Sequence, residues 1–402
     1  MAYALRNAMK HYKSLRNGCF APSNVELLVS SRCNLRCAMC NVWRLAEKNQ
    51  SIAQEELEVS EYENLLDELS LLGTRSLTIS GGEPLLKKGV FSIIQKAKEK
   101  DLSVEFITNG TLISSETAQK LLKSGVDLVT FSIDAPSACV HDRVRGVTGS
   151  WEKSTRGMIT LSNLRKRSGS KKPRLAIDYV ITNVNCTMIP EMIDLKPCLG
   201  FDEIHFLPII GRTSVAKELF LRMDDLTWLK ENLKSIKLKM ELQGLPTCKL
   251  TPISSICNDM ESAVKGRYLI SEMTLPQKTR PEILCFAPWV QATIDPFGKV
   301  YPCCYACTFQ NLSEDLTRTC WGDEDFPMGN LKQESFEHIW HGETFREFRE
   351  NCHDPERFAM CHCCGYDFSG SALMTGLFYR RRVFLRHIHK YAYQLIRKTA
   401  RE

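Results

Sequence analysis

The amino-acid sequence predicts an α/β fold, in which a partial barrel of six strand–helix units is followed by a small cysteine-rich domain and a basic C-terminal helix. Three observations support this prediction. Apolar runs alternate with helix-period segments from about residue 24 to residue 210, as in parallel sheets covered by helices. Nine of the 18 cysteines lie between Cys285 and Cys364. The last 30 residues contain eight lysines and arginines but only one acidic residue.

The predicted strands are short runs rich in β-branched and aromatic residues, which is typical of buried parallel strands. They span residues 25–30, 76–80, 103–107, 127–133, 175–181 and 203–207. In the helix between the first two strands, Ser60 is the expected N-cap and Gly73 the expected end. Functional groups of such barrels come from the carboxyl ends of the strands, so the loops that follow them are expected to carry the chemistry.

The chain is predicted to contain five segments. They are a basic N-terminal segment (1–23), the barrel (24–212), a connector (213–282), the cysteine-rich domain (283–368) and a basic amphipathic helix (369–402). The sequence has no signal-peptide pattern and no apolar run of about 18 residues, so a cytoplasmic protein is expected. The C-terminal helix can dock on the barrel or contact an anionic membrane peripherally, and both alternatives stay open. No nucleic-acid-binding module is recognisable, and no nucleic-acid partner is expected.

The loop after the first strand contains three cysteines in the pattern C-x3-C-x2-C, namely Cys33, Cys37 and Cys40. In a reducing compartment, clustered cysteines are typical of metal sites rather than disulfides. A structural zinc site needs a fourth protein ligand, and this loop has none nearby. Three thiolates on a [4Fe–4S] cluster would leave one iron open to a substrate or cofactor. The loop therefore predicts an iron–sulfur cluster with one open iron.

This loop, CNLRCAMC, resembles the signature of the radical SAM enzymes, in which it directly follows the first strand. The resemblance implies that the amino and carboxylate groups of S-adenosylmethionine (SAM) bind the open iron of a [4Fe–4S] cluster. Reductive cleavage of SAM then gives a 5′-deoxyadenosyl radical. A reductant such as flavodoxin or ferredoxin is the expected electron donor. The family usually has an aromatic residue before the third cysteine, where this chain has Met39.

Further matches to the family lie at the ends of later strands. The resemblance implies that the glycine loop, residues 81–84 (GGEP), binds the SAM amino group, with glycines that permit a close backbone approach and a carboxylate at Glu83. Arg145 is expected to pair with the SAM carboxylate, because a guanidinium matches a carboxylate in geometry and charge. The predicted cofactor-binding residues are Gly81, Gly82, Glu83, Pro84, Asn109, Ser132, Asp134 and Arg145.

The cysteine-rich segment resembles the SPASM and twitch domains, which attach auxiliary iron–sulfur clusters to radical SAM barrels. Cys285 and Cys303 are separated by twelve residues, Gly298 and four more residues, as at the start of such domains. The resemblance implies one auxiliary [4Fe–4S] cluster with four protein thiolates. The expected ligands are Cys285, Cys303, Cys361 and Cys364, with Cys352 as a spare candidate. A four-cysteine zinc site is the alternative, since zinc accepts the same ligands.

The resemblance predicts an enzyme that abstracts hydrogen from an unactivated C–H bond of an unidentified substrate. Beyond the cluster, no residue is assigned as a catalytic acid or base. The roughly 24 residues before the first strand are too few for a module that grips a leader peptide. An oxidative tailoring step on a small molecule or a glycan is therefore favoured. A peptide- or protein-modifying maturase and a non-catalytic, zinc-stabilised scaffold are the alternatives.

Overall fold

The computed structural model describes residues 21–209, 213–250, 253, 287–307, 309 and 326–352. The strands in this part of the chain are β1 (Asn24–Leu28), β2 (Ser76–Ser80), β3 (Ser103–Thr108), β4 (Leu128–Ser132), β5 (Arg174–Ile181), β6 (Glu203–Pro208), β7 (Gln291–Ile294), β8 (Lys299–Tyr301) and β9 (Gly329–Asn330). They form one sheet in the order β6-β5-β4-β3-β2-β1-β7-β8-β9. Strands β1 to β6 are parallel neighbours. The predicted parallel sheet of six strands is confirmed.

The α-helices of the first part of the sheet follow the strands in the expected alternation. They are α1 (Val42–Lys48), α2 (Val59–Leu72), α3 (Val90–Glu99), α4 (Ser115–Lys123), α5 (Ala138–Arg145), α6 (Ser150–Arg167), α7 (Ile189–Asp194) and α8 (Lys196–Leu199). Among the described residues after β6, the α-helices are α9 (Ser214–Glu218), α10 (Met223–Leu242), α11 (Ala287–Val290), α12 (Phe336–His341) and α13 (Glu343–Asn351).

The start of α2 differs from the prediction, whereas its end agrees. The N-cap is Glu58 rather than Ser60, and its backbone N–H donates to Oε2 of Glu61 at 2.7 Å. The Glu61 carboxylate, three residues after the N-cap, therefore satisfies a backbone N–H that has no partner within the helix. Gly73 ends the helix with a φ of +93°, a left-handed conformation that favours glycine.

The two faces of the parallel sheet differ in polarity. Alternate strand residues such as Leu27, Ile79 and Phe106 are completely buried in the main core, which also contains the apolar side chains of α2 and α3. The residues between them, such as Thr78 and Glu105, are only partly buried and share the other face, because they are register partners on adjacent strands. The helices thus cover the apolar face, and the opposite face carries polar side chains.

The C-terminal segment joins the sheet instead of standing apart from it. Strand β7 pairs in parallel with β1, with Val25 opposite Ala292 and Leu27 opposite Ile294. Strands β8 and β9 then continue the sheet in antiparallel fashion. The first hairpin of the predicted cysteine-rich domain (283–368) thus extends the barrel sheet. The physical reason is that β1 would otherwise present an unpaired edge at this point.

A buried arginine organises the C-terminal helices. Arg349 of α13 is 1% exposed, and its Cζ atom lies 4.2 Å from the ring centroids of both Trp340 and Phe345. Its Nε donates to the carbonyl of Pro288 at 2.9 Å, and Nη1 donates to the carbonyl of Trp340 at 2.8 Å. One guanidinium therefore joins α11, α12 and α13 through stacking and hydrogen bonds.

We expect Arg349→Met to lower the free energy of unfolding by about 3 kcal/mol, because it removes two aromatic contacts and two buried hydrogen bonds from a charged donor. Urea unfolding of the cofactor-free protein measures this change. Arg346→Met is the matched control, since Arg346 lies on the same helix with a side chain that is 47% exposed. Equal unfolding curves for the two variants would contradict a stabilising role of the buried guanidinium.

No helix among the described residues has both the length and the apolar character to cross a bilayer. The predicted basic helix at 369–402 and residues 1–20 of the N-terminal segment lie outside the described residues.

Candidate active site

The three cysteines lie in a loop at the carboxyl end of β1, which we name the cysteine loop (residues 30–41). Cys33, Cys37 and Cys40 form no disulfides, and all three residues are half-buried. Burial raises the pKa of the Cys37 thiol to about 11 and raises the pKa of Cys33 further. Thiolates are the metal-binding form, so loading a metal here releases protons. Three soft donors on one short loop fit an iron–sulfur cluster.

No three His, Cys, Asp or Glu side chains in the described part of the chain are arranged to hold a single metal ion.

The glycine loop packs directly against the cysteine loop. The backbone N–H of Gly82 donates to the carbonyl of Ser30, and that of Glu83 donates to the carbonyl of Arg32, both at 2.8 Å. A Cβ atom on Gly82 would lie 2.2 Å from the Arg32 carbonyl oxygen, which no side chain tolerates. Gly81 has a φ of +134°. The close approach predicted for these glycines is made to the cysteine loop, and a contact with SAM stays a prediction.

Glu83 is completely buried and joins the ends of β2 and β3. Its Oε1 accepts hydrogen bonds from Thr108 Oγ1 at 2.8 Å and from Leu85 N–H at 3.1 Å, and its Oε2 accepts one from Asn109 N–H at 2.9 Å. Burial raises the pKa of Glu83 to about 7 in spite of these donors. The next residue, Pro84, is buried and starts a short 3₁₀ turn. The direct contact of Glu83 with SAM stays a prediction.

Asn109 binds the cysteine loop through a ring of polar side chains. Its Nδ2 donates to Oδ1 of Asn34 at 2.9 Å, and Asn34 Nδ2 donates to Oγ1 of Thr111 at 2.7 Å. The Thr111 hydroxyl completes the ring by donating to Oδ1 of Asn109 at 2.6 Å. Asn34 lies between Cys33 and Cys37 and was not predicted as a site residue. An amide inside the C-x3-C spacing is the signal that could have identified it.

Arg145 reaches the cysteine loop from the end of α5. Its Nε lies 2.6 Å from Oδ2 of Asp134, and its Nη1 lies 3.8 Å from the sulfur of Cys37. Burial alone would lower the pKa of Arg145, but Asp134 and Cys37 together raise it above its usual value. Asp134 is completely buried, and its Oδ1 accepts from the N–H of Val180 at 3.0 Å. These contacts make Asp134 a positioning group for Arg145, and its direct contact with SAM stays a prediction.

The remaining sides of the cysteine loop are also held. The N–H of Arg36 donates to the carbonyl of Arg145 at 3.1 Å, and Thr213 Oγ1 donates to the carbonyl of Ala38 at 2.6 Å. Met39, which takes the place of the usual aromatic residue, packs in a small apolar cluster with Val180. The loop is thus held by contacts from several distant parts of the chain.

Ser132 is the last residue of β4 and is partly buried on the polar face of the sheet. It is the register partner of Asp178 on β5, which is in turn the partner of His205 on β6. The Nδ1 atom of His205 lies 2.8 Å from Oδ1 of Asp178. The predicted SAM contact at Ser132 therefore borders a row of ionisable side chains.

Two of the predicted auxiliary-cluster cysteines lie in the described part of the chain. Cys303 follows β8, and its sulfur accepts from the N–H of Ala306 at 3.3 Å. Burial raises the pKa of this thiol to about 11. The spare candidate Cys352 is buried at the end of α13. Cys285, Cys361 and Cys364 lie outside the described residues, so the ligand set stays a prediction.

Comparison with known families gives two matches in the expected places. The model of the radical SAM superfamily matches residues 27–192, and the model of an iron–sulfur cluster-binding domain, SPASM, matches residues 285–365. The first contains the cysteine loop and the glycine loop, and the second contains β7 to β9. Members of the superfamily require a [4Fe–4S] cluster and SAM, and SPASM domains bind auxiliary iron–sulfur clusters.

Relatives and solved structures agree with these matches. The AdoMet-dependent heme synthase of Methanosarcina barkeri is 27% identical, over 86% of this chain and 89% of that protein. The PqqA peptide cyclase of Granulibacter bethesdensis is 24% identical, over 87% of this chain and 82% of the relative. The crystal structure of Streptococcus suis SuiB bound to S-adenosylmethionine shares the fold, with a TM-score of 0.58 at 16% identity over 86% of this chain and 72% of SuiB. This chain is an enzyme of the radical SAM superfamily with a C-terminal SPASM domain.

Proposed function

We propose that Cys33, Cys37 and Cys40 hold the SAM-binding cluster and that the enzyme carries out an oxidative tailoring step on a polar small molecule or a glycan. When bound, the cluster and SAM supply a radical that can remove hydrogen from an unactivated C–H bond. The observation that carries the proposal is the position of the cysteine loop, which neighbouring loops fix at the carboxyl end of β1 by hydrogen bonds. A rigid site of this kind keeps a bound cofactor in a productive orientation.

The side chains around the loop support the predicted SAM contacts. Arg145 carries a positive charge next to Cys37 and suits the SAM carboxylate. Glu83 is a buried carboxylate whose protein donors are all neutral, so a nearby SAM ammonium would stabilise its charge. Asn109 and Ser132 lie at the ends of β3 and β4, where they border the same edge of the sheet. We propose these residues, together with Asp134 and the glycine loop, as the SAM-binding set.

The polar face of the sheet supports a polar substrate. It carries Thr78, Glu105, Thr130, Asp178 and His205, and the Thr130 hydroxyl donates to Glu105 at 2.8 Å. Hydroxyl and carboxylate groups that converge on one side of a site orient substrates that can themselves form hydrogen bonds. A relative named as a heme synthase also agrees with a small-molecule substrate.

A peptide is the second candidate substrate, and the PqqA peptide cyclase among the relatives is the observation that favours it. A peptide- or protein-modifying maturase therefore stays as the alternative. The third interpretation, a non-catalytic zinc-stabilised scaffold, is wrong, because the chain belongs to an enzyme superfamily.

After hydrogen has been removed, oxidation of the substrate radical releases one electron and one proton. We propose that Cys285, Cys303, Cys361 and Cys364 would hold one auxiliary [4Fe–4S] cluster, with Cys352 as the spare ligand, and that this cluster would supply the electron acceptor. A flavodoxin or ferredoxin is the proposed donor for SAM cleavage. Peripheral contact of the 369–402 helix with an anionic membrane also stays a proposal.

The decisive experiment is SAM cleavage by anaerobically reconstituted protein with dithionite. We expect 5′-deoxyadenosine to form and the protein to contain about eight irons per chain, as two [4Fe–4S] clusters require. Cys33→Ala should form no 5′-deoxyadenosine and should keep about half of the iron, because the auxiliary cluster has separate ligands. Cys139→Ala is the control, since Cys139 is an exposed thiol on α5. Cleavage by Cys33→Ala at the wild-type rate would refute the assignment.

A further inference from the structure

A buried ion pair lies beside the cysteine loop, and the predicted site does not include it. Glu56 Oε2 and Lys87 Nζ are 3.2 Å apart, with side chains that are 2% and 10% exposed. Glu56 comes shortly before α2, and Lys87 follows the glycine loop. Charged groups seldom lose this much hydration unless a fixed set of partners compensates them.

The carboxylate of Glu56 holds the beginning of the cysteine loop. Its Oε1 accepts two hydrogen bonds from Ser31, one from the backbone N–H at 2.7 Å and one from the hydroxyl at 2.8 Å. Ser31 is completely buried and lies two residues before Cys33. The glycine loop binds the carbonyls of the residues on both sides of Ser31, through Gly82 and Glu83. The backbone that leads into Cys33 is therefore held by two groups from distant parts of the chain.

Lys87 connects this contact to the C-terminal domain. Its Nζ also donates to the carbonyl of Leu57 at 2.6 Å and lies 5.7 Å from the ring centroid of Tyr62. The N–H of Leu57 donates to the carbonyl of Pro296 at 2.7 Å, in the turn between β7 and β8. Glu56 thus contacts the cysteine loop, and the next residue, Leu57, contacts the SPASM hairpin.

We propose that Glu56 and Lys87 are positioning residues of the SAM site. The carboxylate fixes the backbone from Ser31 to Cys33 in the conformation that binds SAM, and the ammonium fixes the carboxylate and ties it to the SPASM hairpin. This proposal rests on the proposed role of Cys33 as a cluster ligand.

The hydrogen-bonding pattern explains why a carboxylate is required. One oxygen of Glu56 faces two donors on Ser31, and the other faces the ammonium of Lys87. A glutamine has one acceptor and one donor end, so either orientation places its NH₂ group against another donor. Removing the ammonium as well, with Lys87→Met, frees the amide to turn its oxygen toward Ser31. The double variant should therefore recover what the single variant loses.

The test compares wild type, Glu56→Gln, Lys87→Met and the double variant as full-length, reconstituted proteins. SAM affinity is measured by equilibrium dialysis, and the electron paramagnetic resonance spectrum of the reduced protein is recorded before and after SAM is added. We expect Glu56→Gln to bind SAM about tenfold more weakly, which corresponds to about one hydrogen bond to a charged group, with iron content unchanged. The double variant should return to within about threefold of wild type.

A cofactor-free measurement reports on the loop itself. Mass spectrometry measures the rate of Cys33 alkylation relative to that of the exposed Cys139. This rate should rise in both single variants and return to the wild-type value in the double variant. The matched controls are Glu55→Gln and Lys88→Met, because both residues are exposed neighbours of the pair. Their SAM affinity and alkylation rates should equal those of wild type.

Several results would overturn the proposal. One is a Glu56→Gln variant that matches Glu55→Gln in both SAM affinity and Cys33 alkylation. Another is a double variant whose losses equal the sum of the single losses, since the two groups would then act independently. A lower melting temperature with unchanged SAM affinity and alkylation would assign the pair to stability alone. If wild type bound neither cluster nor SAM, the proposed function would fail, and the alkylation rates would still decide whether the pair positions the loop.

Discussion

We expect Gly82→Ala to abolish SAM cleavage. The added Cβ would lie 2.2 Å from the carbonyl oxygen and 2.7 Å from the carbonyl carbon of Arg32, so the backbones of the glycine loop and the cysteine loop must separate. That separation breaks the 2.8 Å bonds from Gly82 and Glu83. Cys33, the residue after Arg32, would move with the loop. The production of 5′-deoxyadenosine by the reconstituted variant is the measurement.

The control for this prediction is Gly244→Ala. Gly244 has a φ of +64°, and a Cβ there would meet nothing within 4 Å. Gly244→Ala should therefore lower the stability only by the strain of an alanine in the left-handed conformation, about 1 kcal/mol. This variant should cleave SAM at the wild-type rate. Gly82→Ala protein that binds iron and forms 5′-deoxyadenosine at the wild-type rate would show that the two loops need not touch.

We expect Arg145→Met to lower both stability and SAM affinity, for two separable reasons. The buried carboxylate of Asp134 would lose its cation, and breaking a buried pair in this way costs about 3–5 kcal/mol. The proposed partner of the SAM carboxylate would also be gone. Adding Asp134→Asn removes the stranded charge, so the double variant should recover most of the stability but none of the SAM affinity.

Urea unfolding of the cofactor-free proteins measures the first effect, and equilibrium dialysis with SAM measures the second. Arg143→Met, an exposed change on the same helix, should leave both unchanged. A double variant that binds SAM as tightly as wild type would exclude Arg145 as the carboxylate partner. Unaltered unfolding of Arg145→Met would mean that the pair with Asp134 does not stabilise the fold.

Local patterns explain which features could be predicted from the sequence. The six parallel strands follow from apolar runs of five to seven residues between helical segments, and the cysteine loop follows from the spacing of Cys33, Cys37 and Cys40. Both signals lie within a short stretch of chain. The sequence predicts the N-cap of α2 at Ser60, because serine is a preferred N-cap residue, whereas the structure has it two residues earlier, at Glu58. Glu58 is the residue whose backbone N–H binds the Glu61 side chain.

The contacts that hold the site could not be predicted in this way, because their partners are distant in the chain. Asn34 meets Asn109, and Ser31 meets Glu56, across 75 and 25 residues. A carboxylate at the end of β4 could contact SAM or an arginine, and only the fold shows that Asp134 contacts Arg145. The pairing of β7 with β1 likewise joins segments more than 260 residues apart.

The parallel pairing of β7 with β1 has a consequence for how this enzyme can be divided. The strand that leads into the cysteines is an interior strand, hydrogen-bonded on both sides. A fragment that ended before residue 287 would uncover that hydrogen-bonding row in the middle of the sheet and offer it to other chains, the usual origin of strand-exchanged aggregates. We therefore expect a fragment without this hairpin to be less stable and more prone to aggregation than the full chain. The β7–β8 hairpin of the SPASM domain completes the sheet next to β1. Deletion studies should therefore replace this hairpin rather than remove it.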